Sequence, residues 1–185
     1  MGIPTLIKTL TASGDSSLSF VNGAADVTLD STYDHYMWVF TDIAPATDAQ
    51  NFQFNLSDDT SSHTYDSTKT SAFSQANHSE DDTTTAAIRY ETSVDLAQAT
   101  GVQKLTEEIG NGADESAAGI LTLFSPASTT YVKHWNSTIS YYWSADGAFA
   151  SMTSGYANHT AAVTAIQFSM SSGNFDGVIQ MYGIA

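Results

Sequence analysis

The chain ends SSGNFDGVIQMYGIA over residues 171–185, where a turn cluster at Ser171, Ser172, Gly173 and Asn174 leads through Asp176-Gly177 into an apolar run. Terminal segments are polar and mobile unless something ties them down. A segment carrying Val178, Ile179, Met181, Tyr182 and Ile184 at this position is therefore expected to be a buried strand, slotted into a sheet to close the fold. That expectation selects a compact all-β module.

The rest of the chain keeps the same grammar. It is rich in Ser, Thr and β-branched residues and punctuated by Gly, Asn and Asp, a composition that favours strands over helices. Strands are expected over residues 3–10, over 18–21 before the Asn22-Gly23 turn, and at Val27 and Leu29 as the hairpin partner. Residues 33–43 (YDHYMWVFTDI) place Tyr36, Trp38 and Phe40 on one face and Met37 and Val39 on the other, so this strand should be covered on both sides. Phe52, Phe54 and Leu56 alternate with polar residues in the manner of a half-buried strand. Residues 57–85 are small, polar and acidic, and read as a long acidic loop suited to a partner contact or an ion. Further strands are expected over 86–90, 117–124, 132–143, 148–153, 163–170 and 178–184. Val102, Leu105 and Ile109, with Gly110-Asn111-Gly112 after them, predict one short helix over 102–109.

Eight to ten strands, one long insertion and no βαβ rhythm predict a single domain, 1–185, built as an antiparallel two-sheet β-sandwich of jelly-roll type. At 185 residues a domain buries roughly 70% of the surface its unfolded chain exposes, so no staples are needed.

The formal charge is −15, from 20 acidic residues against Lys8, Lys69, Arg89, Lys104 and Lys133. Five scattered cations cannot neutralise a phosphate backbone, which argues against nucleic acid as a partner. Anionic membranes are disfavoured for the same reason, and no apolar run approaches the ~20 residues of a membrane span. The N-terminal residues lack the pattern of a secretory signal. With no cysteine, disulfides and thiolate chemistry are excluded.

No motif assigns a catalytic residue. Gly14-Asp15-Ser16-Ser17-Leu18 has the form of a serine-esterase nucleophile block, but none of His35, His63, His78, His134 or His159 follows an Asp by three residues, so a turn is expected there. Asp34-His35, His63 with Asp66, and His78 with Glu80-Asp81-Asp82 lack zinc-site spacing and read as solvated loop groups. No cofactor is expected; Asp58-Asp59, Glu80-Asp81-Asp82 and Asp114-Glu115 read as solvated charge and leave only a bound Ca²⁺ open. Tyr141, Tyr142, Trp143 and Trp135 suit either a core or a sugar-stacking surface.

Four segments, STYDHYMWVFTDIAPATD, NGADESAAG, FSPASTTYVKHW and MSSGNFDGVIQMYGIA, resemble a group of poorly characterised virion structural proteins of tailed bacteriophages, common in phages of marine bacteria. The resemblance implies a non-enzymatic capsid decoration, head-fibre or tail-associated protein, located in the virion and assembled in the host cytoplasm. It implies the major capsid protein or another virion protein as partner, and self-assembly as a homotrimer or pentamer. Residues 1–10 would then be an anchoring strand. The alternative is a receptor- or carbohydrate-binding module of a tail or head fibre that meets host surface glycan.

Overall fold

The computed structural model describes residues 2–83 and 86–185. Met1, at the start of the expected anchor, and Thr84 and Thr85, at the end of the expected acidic loop, lie outside the described residues. Twelve strands follow one another: β1 (Thr5–Asp15), β2 (Ser17–Val21), β3 (His35–Pro45), β4 (Phe52–Ser57), β5 (Lys69–Ser79), β6 (Ala87–Tyr90), β7 (Gln103–Lys104), β8 (Ala117–Phe124), β9 (Lys133–Trp143), β10 (Gly147–Ala157), β11 (Ala165–Met170) and β12 (Phe175–Ile184).

They form two antiparallel sheets, one ordered β1-β12-β3-β8-β9-β10-β5-β6 and the other β2-β11-β4-β7. The chain passes between sheets at β1 to β2, β2 to β3, β3 to β4, β4 to β5, β6 to β7, β7 to β8, β10 to β11 and β11 to β12. The quartets β1-β12-β3-β8 and β2-β11-β4-β7 thus have the double Greek-key connectivity of a jelly roll. The other four strands enter as two insertions, β5-β6 and β9-β10, and prolong the large sheet past β8. The C-terminal strand β12 lies between β1 and β3, so both of its edges are paired.

Between the quartets lies an aromatic core. Tyr36, Trp38 and Phe40 of β3 face inward with at most 2% exposure, as their alternation predicts. The Phe168 ring of β11 meets Phe20, Trp38, Phe40, Phe52 and Phe54 at centroid distances of 5.1–6.4 Å, stacking on Phe52 and meeting Phe40 edge-on. Offset and edge-to-face pairs of this kind add to simple burial.

The small sheet reaches the inserted strands in part: Phe54 of β4 meets the Trp135 ring of β9 at 5.5 Å, and Asn55 of β4 meets Lys69 of β5. Residues 91–109 add to this cover, pairing with β5 through Ser71 N–H to the Leu96 carbonyl at 2.9 Å and a bridge between Lys69 and Ala99, and accepting the Ser151 hydroxyl at the Leu105 carbonyl at 2.5 Å. This interior is partly polar: Gln75, Asn77, Gln103, Ser137, Ser151 and Thr153 are all buried.

Three expectations are corrected. Residues 102–109 are extended, with β7 beside β4 and Ile109 bridging Gln50 and Trp143. Leu105 and Ile109 are buried as a helical stripe would bury them, but Glu108 has φ +51°, which breaks any helix. Residues 57–85 are not one loop, because β5 runs through them and pairs with β10 and β6. Val27 and Leu29 are buried without joining a ladder: the 22–27 turn closes by Gly23 N–H to the Val27 carbonyl, and β2 pairs with β11 instead.

Candidate functional site

The acidic chain has one broad region without charge. Outward positions of β8, β9, β10 and β5 carry no Asp, Glu, Lys or Arg; they hold Ala, Ser, Thr, Asn, aromatic or aliphatic groups and, near the two ends of the face, His134 and His78. The register links one outward residue from each of the eight strands in a single row: Thr9, Gln180, Val39, Ile120, Thr138, Met152, Ser74 and Tyr90. Met152 and Tyr90 are about half exposed, and Ile88 beside them is 82% exposed. Between Met152, Tyr90, Ala72 and Asn136 lies a shallow groove of about 360 Å³.

The four uncharged strands span roughly 14 Å, and the outward run from His134 to Tyr142 spans roughly 27 Å. The footprint is on the order of 400 Å², about half of the ~800 Å² each partner contributes to a standard interface. Like-charged copies repel through their acidic surfaces. Contact through this face carries no such penalty.

A second feature is a cleft of about 250 Å³ lined by Arg89, Glu91, Ser93, Glu107, Glu108, Trp143 and Phe149. Burial, and then the charge of Glu91, hold the Glu107 carboxyl above its ordinary range, with Lys104 and Arg89 opposing. Gln75 Nε2 donates to Glu107 at 3.0 Å, Trp143 Nε1 donates to Glu108 at 3.0 Å, and Arg89 pairs with Glu91 at 3.5 Å. The Trp143 and Phe149 rings lie 5.0 Å apart.

The third is a polar pole where Lys69 and Lys133 flank Ala157 at the end of β10, both wholly buried. Lys133 Nζ donates to the carbonyls of Tyr131 at 2.8 Å and His159 at 3.3 Å. Lys69 Nζ donates to Asn55 Oδ1 and to the Ser67 carbonyl at 2.6 Å. Burial pushes the Lys69 amine down to about 8, against the opposing charge of Asp66, and lowers Lys133 in the same sense against Asp58. His159 reaches Ser67 Oγ at 3.2 Å and lies 3.9 Å from Asp58, while His63 reaches Thr164 Oγ1 at 3.3 Å.

The motifs singled out in the sequence land elsewhere. Gly14 and Asp15 end strand β1, Ser16 alone links it to β2, and Gly14 N–H donates to Asp176 at 2.7 Å. His35 packs on Phe124, and His78 meets Asp82 at 3.4 Å on an open surface. Asp59 and Asp66 are occupied as acceptors for Thr64. Among the described residues, no three His, Asp or Glu side chains converge in a group that could hold a metal ion. Trp135 and Tyr141 belong to the core, Tyr142 lies on the outer face, and Trp143 borders the acidic cleft.

Sequence reasoning missed the uncharged face and the lysine pole. The signal for the face was present as an alternation of small uncharged residues in 134–156. Comparison with known protein families, curated proteins and solved structures found no match to this chain.

Proposed function

We propose that the chain is a non-enzymatic virion structural protein of a tailed bacteriophage, a capsid decoration or head-fibre protein that associates with itself as a homotrimer. The observation that carries this reading is the charge-free outer face of the large sheet on a chain of net charge −15. Jelly rolls occur in viral capsids and in lectins alike, so the fold alone does not choose between them.

Attachment to the major capsid protein or another virion protein falls to the β1 edge. There β1 leaves one side unpaired, and Ile3 and Leu6 are 88% and 50% exposed. An extended partner strand could add to this edge by backbone hydrogen bonds. Co-expression with the major capsid protein followed by particle sedimentation tests the assignment. The chain should travel with the particles in multiple copies, and its complete absence from every virion fraction would refute the reading.

The acidic cleft favours a second reading, a carbohydrate-binding module. Trp143 offers a ring anchored by Glu108, and Glu91 and Arg89 offer hydrogen-bonding groups beside it. A glycan array decides this: binding to host surface sugars that is lost in Trp143→Ala supports the module, and an empty array removes it.

A further inference from the structure

Lys69 is not placed as a structural lysine normally is. Lysines keep the ammonium in water or pair it when buried, yet Lys69 is wholly buried with no carboxylate within ion-pair distance among the described residues. What its Nζ touches is a carboxamide, that of Asn55 on β4, in the opposite sheet. Asn55 is 4% exposed and its side chain is fixed at both ends. Oδ1 accepts the Leu56 N–H at 2.9 Å, and Nδ2 donates to the Thr100 carbonyl at 3.0 Å.

We infer that Lys69 and Asn55 join in a self-catalysed isopeptide bond that staples the two sheets across the polar pole. The reaction needs no oxidant and no cofactor. The neutral amine attacks Asn55 Cγ, the Nζ–Cγ bond forms and the Cγ–Nδ2 bond breaks. Negative charge that develops on Oδ1 is stabilised by the Leu56 N–H, a donor already in place. The attacking nitrogen gives up a proton and Nδ2 gains one, leaving as ammonia.

Two features of the site favour the step. Desolvation of Lys69 populates the neutral, nucleophilic amine, as in other buried lysines that do chemistry. The fixed contact removes the entropy of bringing the partners together. Lys133 gives an internal contrast, because among the described residues its Nζ meets backbone carbonyls and no side-chain carboxamide.

Intact mass spectrometry of the purified full chain tests this. The bond lowers the mass by about 17 Da, one ammonia, and blocks tryptic cleavage after Lys69. With no Lys or Arg between residues 55 and 69, the product is a single peptide of residues 9–89 closed into a loop between 55 and 69. Succinimide formation at Asn22-Gly23 or Asn111-Gly112 would lose the same mass but leave Lys69 open to cleavage. The looped 9–89 peptide, with Lys69→Met returning to full sequence mass, is the expected result. Full mass in the wild-type chain after incubation at about pH 9, where the amine is neutral, overturns the inference, as does a deficit that persists in Lys69→Met. The looped peptide is read on wild-type protein, so the test holds even if the variant folds poorly.

Discussion

Phe168 concentrates the core in one side chain, touching rings from β2, β3 and β4 at once. Truncating a buried Phe costs about 3–5 kcal/mol, and Phe168→Ala should fall at the upper end, measured by urea unfolding. Gly155 is required for space: a Cβ there would stand 2.4 Å from the Thr70 carbonyl oxygen and 2.6 Å from the Trp135 ring. Gly155→Ala should destabilise by about 1–3 kcal/mol, as overpacking does. Glu107 sets a pH dependence. Its carboxyl titrates above the ordinary range in the fold, so the folded chain binds that proton more tightly than the unfolded chain does. This contribution is present below the unfolded value of about 4.3 and is lost as pH rises through the folded value. Glu107→Gln should therefore be more stable than wild type at neutral pH, with the difference vanishing in acid; urea melts at both ends of that window check the sign. At this scale the sequence was readable where inward residues were aromatic and opaque where they were Gln, Asn, Ser or Lys. A hydrogen-bonded buried amide looks like a loop residue until its partner is known.

Among elements, β3 and β12 were legible because both of their faces carry apolar groups, and the structure places them side by side inside the large sheet. β5 was not, since its inward residues are Lys69, Phe73, Gln75, Asn77 and Ser79, a single apolar group among polar ones. The apparent helix at 102–109 had the right spacing on an extended segment, because burial against β4 and β9 needs the same residues whichever period the backbone follows. Strand order, and with it the pairing of β2 with β11, depends on contacts far apart in sequence that no local pattern encodes. The edge strand β1 carries its own prediction. It pairs with β12 only from Thr5 onward, so removing residues 1–4 should leave the unfolding midpoint nearly unchanged. The same truncation removes the exposed Ile3 and should reduce co-sedimentation with particles; unaltered incorporation would show that residues 1–4 take no part in the anchor.

For the whole molecule, charge decides which surfaces can meet. Fifteen net negative charges oppose close approach of two copies, and screening over a Debye length of about 8 Å at physiological salt softens this without abolishing it. The outer face of the large sheet escapes that repulsion, and Met152 stands near its centre with groups from β9 and β5 on either side. A charge placed there should break association while leaving the fold intact, since the side chain is half exposed. The most direct measurement is therefore the solution mass of the purified chain by light scattering, alongside Met152→Glu. The account predicts a stable multiple of 19.7 kDa for the wild type, three copies for a trimer, and a single copy for the variant with an unchanged circular dichroism spectrum. A wild-type mass of one copy at every concentration, unaltered by Met152→Glu, would contradict it.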